Sequence, residues 1–259
     1  MTLTALHVGG PTLVLDLAGL RLVTDPTFDP PGDHPLGDGR VLRKLTGPAV
    51  PREDVGRVDL VLLSHDQHPD NLDASGRALL GEAGRVLSTP AAAARIAGVE
   101  GLAPWVSVEV PTPSGPLVVT AEPAGHGPPG AEAFSGPVTG FVLGAPDGTT
   151  VYVSGDNASV GVVEAVAERV PRVDLAVLFC GAARRPDRPE ALTLTAADAV
   201  LAARALDTAR ILPVHSEGWL HFTEGPGTLN RAFAEAGLAD RLTILPLGVP
   251  TALPVPVRA

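Results

Sequence analysis

The chain has 259 residues, 45% of them hydrophobic, with 19 basic against 29 acidic side chains and a formal net charge of −10. That length and apolar content suffice for a buried core and exclude an intrinsically disordered chain. The acidic balance argues against a surface built to neutralise a long phosphate backbone, so no nucleic-acid partner is expected.

Short apolar runs bounded by Gly, Pro and Asp predict strands over 3–8, 12–17, 20–25, 58–64, 106–110, 116–123, 140–144, 150–154, 174–179, 210–214 and 242–247. Helical spacing appears over 74–84, 90–98, 158–170, 195–207 and 228–237. Thr195 and Asp198 offer the fourth helix a cap and an acidic first turn. Strands interspersed with helices predict one α/β domain over 1–259, with sheets inside and helices outside. Residues 26–56, rich in Pro, Gly and charge, read as a loop or lid over something. The apolar N-terminal stretch TLVLDLAGLRLV is broken by Asp16 and Arg21, so neither a signal peptide nor a membrane span is predicted. Cys180 is the single cysteine, which excludes an internal disulfide framework and points to a reducing, cytoplasmic setting. An echo links RVDLVLLSH (57–65) with RVDLAVLFC (172–180), either by coincidence or because two similar halves present strand ends to a shared centre.

Four apolar runs end in a potential metal donor. VLLS delivers His65, His68 and Asp70; LVVTAEPAG leads to His126; VYVSG delivers Asp156; ILPV delivers His215. One histidine after a strand is more often a turn or surface residue. The set as a whole, each member just past a strand, is what a divalent ion of the Zn, Mn or Fe type wants, and two neighbouring ions need about six such donors.

This series, strand–SH–x–x–H–x–D, then a distant His, then SGD, then PVH, resembles the metallo-β-lactamase-fold hydrolases. It is most similar to the branch containing the ascorbate-6-phosphate lactonase, which RLVTDPTF (21–28) and LPVHSEGWLHF (212–222) also resemble. The likeness runs from residue 4 to about 224. It implies a four-layer αββα sandwich of two mixed sheets flanked by helices, with one or two divalent ions (Zn or Mn) at one edge. His65, His68 and His126 would form the first metal site, Asp70 and His215 would belong to the second, and Asp156 would bridge them. The family run is His-x-His-x-Asp-His, whereas this chain reads His65-Asp66-Gln67-His68-Pro69-Asp70-Asn71. One residue is extra and the last histidine has become Asn71. Whether His65 or Asp66 is the first ligand stays open, with imidazole preferred, and the second site is weakened towards a single ion or a harder second one such as Mn.

The resemblance implies that Asp70 orients a metal-activated water and shuttles its proton. His221 either donates a proton to the leaving group or binds substrate, or else packs under Trp219; Glu217 could back a histidine ligand. Arg184 and Arg185, with Arg188, either fork onto a substrate carboxylate or phosphate or belong to a solvated loop. Asp25 reads as a supporting carboxylate, His7 as structural and His34 as a surface residue. GHGPPG (125–130) lacks the backbone donors of a phosphate cradle, and no P-loop or G-x-S-x-G elbow is present. The expectation is a metal-dependent hydrolase of a small-molecule ester, lactone or phosphoester. A phosphodiesterase or nuclease of the same fold, and a degenerate member that binds without turnover, are the alternatives. A homo-oligomer stays open.

Overall fold

Tight turns between the first three apolar runs let them pair in chain order. In the computed structural model, which describes residues 3–36, 39–206 and 210–254, β1 (Leu3–Gly9), β2 (Thr12–Leu17) and β3 (Leu20–Thr24) form an antiparallel meander. A separate hairpin follows, β4 (Gly32–Pro35) with β5 (Val41–Lys44). The strands β6 (Leu60–Leu62), β7 (Val86–Ser88) and β8 (Val99–Gly101) then add in parallel beside β3, with α1 (Ala74–Leu80) and α2 (Pro90–Arg95) as the crossovers.

The second sheet starts antiparallel, with β9 (Ser107–Val110), β10 (Leu117–Ala124), β11 (Val138–Gly144) and β12 (Thr150–Val153); the short α3 (Glu132–Ser135) lies between β10 and β11. It turns parallel at β13 (Leu175–Phe179) and β14 (Arg210–Val214), reached through α4 (Val160–Arg169) and α5 (Ala196–Ala205). After α6 (Pro226–Glu235), β15 (Thr251–Leu253) returns to pair with β1. The sheet orders are β15-β1-β2-β3-β6-β7-β8 and β14-β13-β12-β11-β10-β9.

The two sheets pack face to face over one apolar cluster. Leu13, Leu15, Leu22 and Leu60 of the first meet Val119, Phe141, Val153 and Val177 of the second. Strand β13 shows why its run is continuously apolar. Leu175 and Val177 face the other sheet, while Ala176 and Leu178 face the helices, so both sides are buried. Val163, Val166, Leu229 and Phe233 of α4 and α6 cover that outer side, and Leu79 and Leu80 of α1 cover the first sheet. The result is the αββα layering that the sequence suggested. No helix among the described residues is long and apolar enough to cross a membrane.

Residues 242–247 do not form the expected strand. Only a bridge from Leu242 to Ile211 and a bond from Thr243 N to the Ile211 carbonyl form, and Pro246 has no N–H with which to continue. Five strands escaped prediction: β4 and β5 fall in the segment read as a loop, and β7, β8 and β15 have three residues each, too few to show a period of two. The helix over 74–84 stops at Leu80 before Gly81, and that over 90–98 stops at Arg95. The capping box of Thr195 and Asp198 forms as expected, although Asp207, the last residue of that predicted helix, lies outside the described residues.

Among its described residues the segment 26–56 carries the β4–β5 hairpin and is tied down at its centre. Lys44, the sole lysine, lies buried with Nζ 3.1 Å from Asp73 Oδ2 and 5.5 Å from the Trp219 ring. Asp73 also caps α1 through Gly76 N at 2.8 Å and accepts Asp29 N at 2.7 Å. Replacing Lys44 by Met leaves that carboxylate buried without its counter-charge, so urea unfolding should show a loss of about 3–5 kcal/mol. Unchanged stability would contradict this account of the anchor.

Candidate metal centre

The C-terminal ends of the parallel strands from both sheets open on the same edge, the usual place for a site in an α/β fold. Beyond β6, Ser64 N donates to Asp25 Oδ1 at 2.6 Å and starts the loop that carries His65, His68 and Asp70. Beyond β12, Gly155 takes φ +56°; a Cβ there would stand 2.5 Å from the Thr139 carbonyl oxygen, so only glycine lets Asp156 swing in. Beyond β13, Gly181 lies against the His215 backbone, where a Cβ would meet the carbonyl oxygen at 2.1 Å. His215 itself holds φ +55° and Asp25 φ +30°, both strained for non-glycine residues. The His215 turn is fixed from behind. Its N–H donates to the Gly10 carbonyl at 2.7 Å, and Gly10 N donates to Glu217 Oε1 at 2.6 Å. Glu217 therefore holds the backbone beneath His215 rather than its ring.

Two donor clusters result, one of His65, His68, His126 and Asp156 and one of Asp70, Asp156 and His215. His65 Nε2 and His126 Nε2 approach His68 Nδ1 to 2.9 and 3.3 Å, and His126 Nε2 lies 3.6 Å from Asp156 Oδ2. In the second cluster His215 Nε2 lies 3.3 Å from Asp70 Oδ2 and 3.4 Å from Asp156 Oδ1. Two ligands held tetrahedrally about 2.1 Å from one ion stand roughly 3.4 Å apart. The observed separations, from 2.9 to 4.0 Å, bracket that size. His126 Nδ1 donates to the Leu192 carbonyl at 2.8 Å, which aims Nε2 at the cluster.

Burial, reinforced by the neighbouring His68 and His126 rings, keeps His65 well below its ordinary pKa. Burial and His126 push His68 down to about 4. Both rings are thus neutral at pH 7 and offer lone pairs. Burial opposes ionisation of Asp70, yet His221 and His215 hold its carboxyl well below the usual carboxylate range. For His215, burial pulls downward but Asp156 and Asp70 raise it on balance. Several buried polar atoms make no protein hydrogen bond, namely Asp70 Oδ1, Asp156 Oδ2 and both His215 ring nitrogens. Orphaned, buried and convergent donors of this kind fit divalent cations.

His65 joins the first cluster, whereas Asp66 turns away to form a bidentate pair with Arg95, with Nε 2.9 Å from Oδ2. Asn71 is buried, and its Oδ1 makes no protein hydrogen bond. Its amide donates to Asp156 Oδ1 at 3.2 Å and to Asp25 Oδ2 at 3.3 Å. Burial raises Asp25 to about 7, opposed by bonds from Ser64. His221 Nε2 lies 2.8 Å from Asp70 Oδ2, while its ring meets Trp219 edge-on at 6.1 Å. His7 is buried on the Gly10 carbonyl, and His34 packs beside Trp219 at 5.2 Å.

Above the donors opens a cavity of about 860 Å³ that reaches His68, Asp70, His126 and His221. Leu36, Val41, Leu42, Phe134, Leu192 and Leu220 form much of its wall. Arg184 and Arg185 also line it, but their guanidinium groups are engaged within the protein. Arg185 forks onto Asp187 at 2.9 and 2.7 Å, and Arg184 bonds Thr223 Oγ1 and the carbonyls of Ala182 and Pro189. The apolar wall was not foreseen, because its residues come from the hairpin, α3 and two loops, none of which shows a periodic pattern.

A histidine with a folded-state pKa below its unfolded value binds protons more readily when unfolded, so protons favour unfolding below about 6.5. In metal-free protein the stability carried by neutral His65 and His68 is therefore full above that pH and falls as pH drops towards 4. Urea midpoints across this window, with the His68 ring followed by NMR, check it. A flat midpoint and a ring titrating near 6.5 would contradict it.

The sequence signature of the β-lactamase superfamily domain matches residues 20–216. No curated protein matches. Among solved structures the chain is similar to isothiocyanate hydrolase from Delia radicum gut bacteria, with 23% identity, TM-score 0.82 and coverage of 97% of this chain and 99% of that one. A protein of Veillonella parvula described as a possible metal-dependent hydrolase gives 16% identity, TM-score 0.81 and coverage of 98% and 100%. A novel metallo hydrolase from the archaeon Ignicoccus hospitalis gives 17% identity, TM-score 0.73 and coverage of 99% and 100%. With the signature spanning most of its length over an αββα fold and a buried His/Asp cluster, the chain belongs to the metallo-β-lactamase superfamily of hydrolases.

Proposed function

We propose that this hydrolase attacks the electrophilic carbon of an uncharged, largely apolar small molecule, with two divalent ions, zinc or manganese, held by His65, His68, His126, Asp156, Asp70 and His215. The observation that carries the reading is the cavity. Convergent metal donors and apolar side chains line it together, and the lining arginines Arg43, Arg184 and Arg185 are already paired with protein groups. A phosphoester or a carboxylate would need those guanidinium groups free, and releasing them would break the pairs described above. Esters and lactones fit the wall. So do isothiocyanates, the substrate named for one of the similar structures.

A divalent ion, when bound, lowers the pKa of water it holds from about 15.7 towards 7 and polarises the substrate's acceptor atom. The chain's own groups do the rest. Asp70, kept ionised by His221 and His215, accepts a proton at Oδ2 and orients the attacking water from the cavity floor. Phe134, Leu192 and the hairpin residues Leu36 and Leu42 exclude bulk solvent and hold the apolar body of the substrate. Burial pushes the lone Cys180 thiol upward, so it takes no part, and a single buried thiol suits a reducing, cytoplasmic compartment.

Incubating Zn- or Mn-loaded protein with matched ester, lactone, isothiocyanate and phosphoester panels tests the reading. Turnover of the neutral substrates is expected, with Asp70→Asn lowering kcat about 10²–10⁴-fold. Activity confined to phosphoesters, or silence across the panel with metal bound, would overturn it.

A further inference from the structure

The apolar lining of the cavity does not stop where the protein surface begins. In order of exposure it runs from the buried Leu192, beside the donors Asp70 and His126, through the half-buried Leu42 and Phe134. It ends at Val41, 50% exposed, and Leu220, 62% exposed. A single exposed valine or leucine needs no explanation, but two that line the open end of one cavity do. Local structure brings both to the same edge. Lys44 bridges to Trp219, and Leu220 N donates to the Arg43 carbonyl at 3.0 Å, so residues 219 and 220 lie alongside β5. Alternation along β5 buries Lys44 on Asp73 and leaves Val41 and Arg43 exposed. Charged side chains that share this part of the lining neutralise one another. Arg43 forks onto Asp33 at 2.7 and 3.0 Å, and Arg185 onto Asp187.

We propose that the apolar part of the substrate is a long aliphatic tail. It runs from the metal donors past Leu192, Phe134 and Leu42 and out over Val41 and Leu220, which set the preferred tail length. This inference rests on the hydrolase reading above and deepens it. A compact apolar molecule is held by the buried and half-buried lining alone and does not reach the exposed pair. The cavity, at about 860 Å³, stands near the top of the roughly 300–1,000 Å³ that accommodates whole drug-sized ligands, so a short substrate leaves apolar wall facing water. Each methylene added to the tail displaces some of that water, which favours longer chains. Val41 and Leu220 lose their contact with water only when something apolar lies on them. Their continuity with the cavity makes that covering the outer part of the bound substrate. An uncharged tail also passes the Arg43–Asp33 and Arg185–Asp187 pairs without breaking them. A second copy of the chain laid on the same pair is the competing occupant, and it predicts no dependence on substrate length.

Two chain-length series on Zn-loaded protein separate the occupants, p-nitrophenyl esters from acetate to dodecanoate and alkyl isothiocyanates from ethyl to dodecyl. In whichever series turns over, kcat/KM should climb with length, by up to about fourfold per methylene. Val41→Ser/Leu220→Ser should lower the ratio of kcat/KM for the longest member to that for the shortest by roughly tenfold. The conservative pair Val41→Ile/Leu220→Met should keep the wild-type ratio. Comparing a ratio within one preparation removes the effect of any misfolded fraction. A flat or falling series would overturn the proposal and leave the hydrolase reading standing. So would a wild-type dimer that the serine variant splits while the ratio stays unchanged, since the exposed pair would then serve a second copy. Silence in both series with metal bound would overturn both.

Discussion

The constraint on which the structure turns is the burial of more lone pairs than the protein can satisfy. Four histidines and two aspartates meet at the edge of two sheets, and the carboxylate oxygens and ring nitrogens named above find no protein donor. Each polar group left unpaired away from water costs about 1–3 kcal/mol, and more when it is charged. Neighbouring protein groups do not offset this. His65 and His68 are pushed towards neutrality, Asp70 towards ionisation, and the strained turns at Asp25 and His215 hold the groups together rather than apart. A cation offsets the cost, because it converts mutual repulsion among lone pairs into coordination.

Everything around the cluster serves to deliver and fix it. Each sheet contributes a parallel strand whose fully apolar run needs no side chain on the solvent side, so the functional residues are displaced to the loop just beyond. The echo between residues 57–65 and 172–180 has a structural counterpart in this respect. Strands β6 and β13 lie in different sheets, and each is immediately preceded by an aspartate that accepts from a neighbouring backbone N–H, Asp59 from Arg21 at 2.9 Å and Asp174 from Thr150 at 2.9 Å. The hairpin roof depends on the site loop in turn, since Asp73 joins Lys44, Asp29 and the first turn of α1 in one buried knot only a few residues after Asp70.

Much of this was legible in the sequence because it depends on local grammar. Strand ends followed by His65, Asp156 or His215, and the cap at Thr195, are statements about neighbouring residues, and the structure agrees with them. The choice between His65 and Asp66 was not legible. It is decided by Arg95, from a helix twenty-nine residues further on, which captures Asp66 in an ion pair. Asn71 was read as a weak oxygen donor; contacts with Asp25 and Asp156, forty-six and eighty-five residues away, engage its N–H side and leave its Oδ1 buried without a protein partner, which no local pattern announces. The arginines could be read as substrate ligands or as a solvated loop, because the sequence does not reveal that Asp187 and Thr223 engage them. The strand expected at 242–247 failed for a different reason, since its apolar pattern competes with a proline and with the edge position of β14. Local pattern locates the donors; tertiary contact decides which way each one points.

Diffraction at the zinc or manganese absorption edge, on crystals of protein purified without chelator, tests the central claim most directly. The account predicts an anomalous peak equidistant from the donor atoms of His65, His68, His126 and Asp156, with a second about 3.5–4 Å away beside Asp70 and His215. Full-occupancy metal elsewhere on the protein, with only water among these side chains, would contradict it.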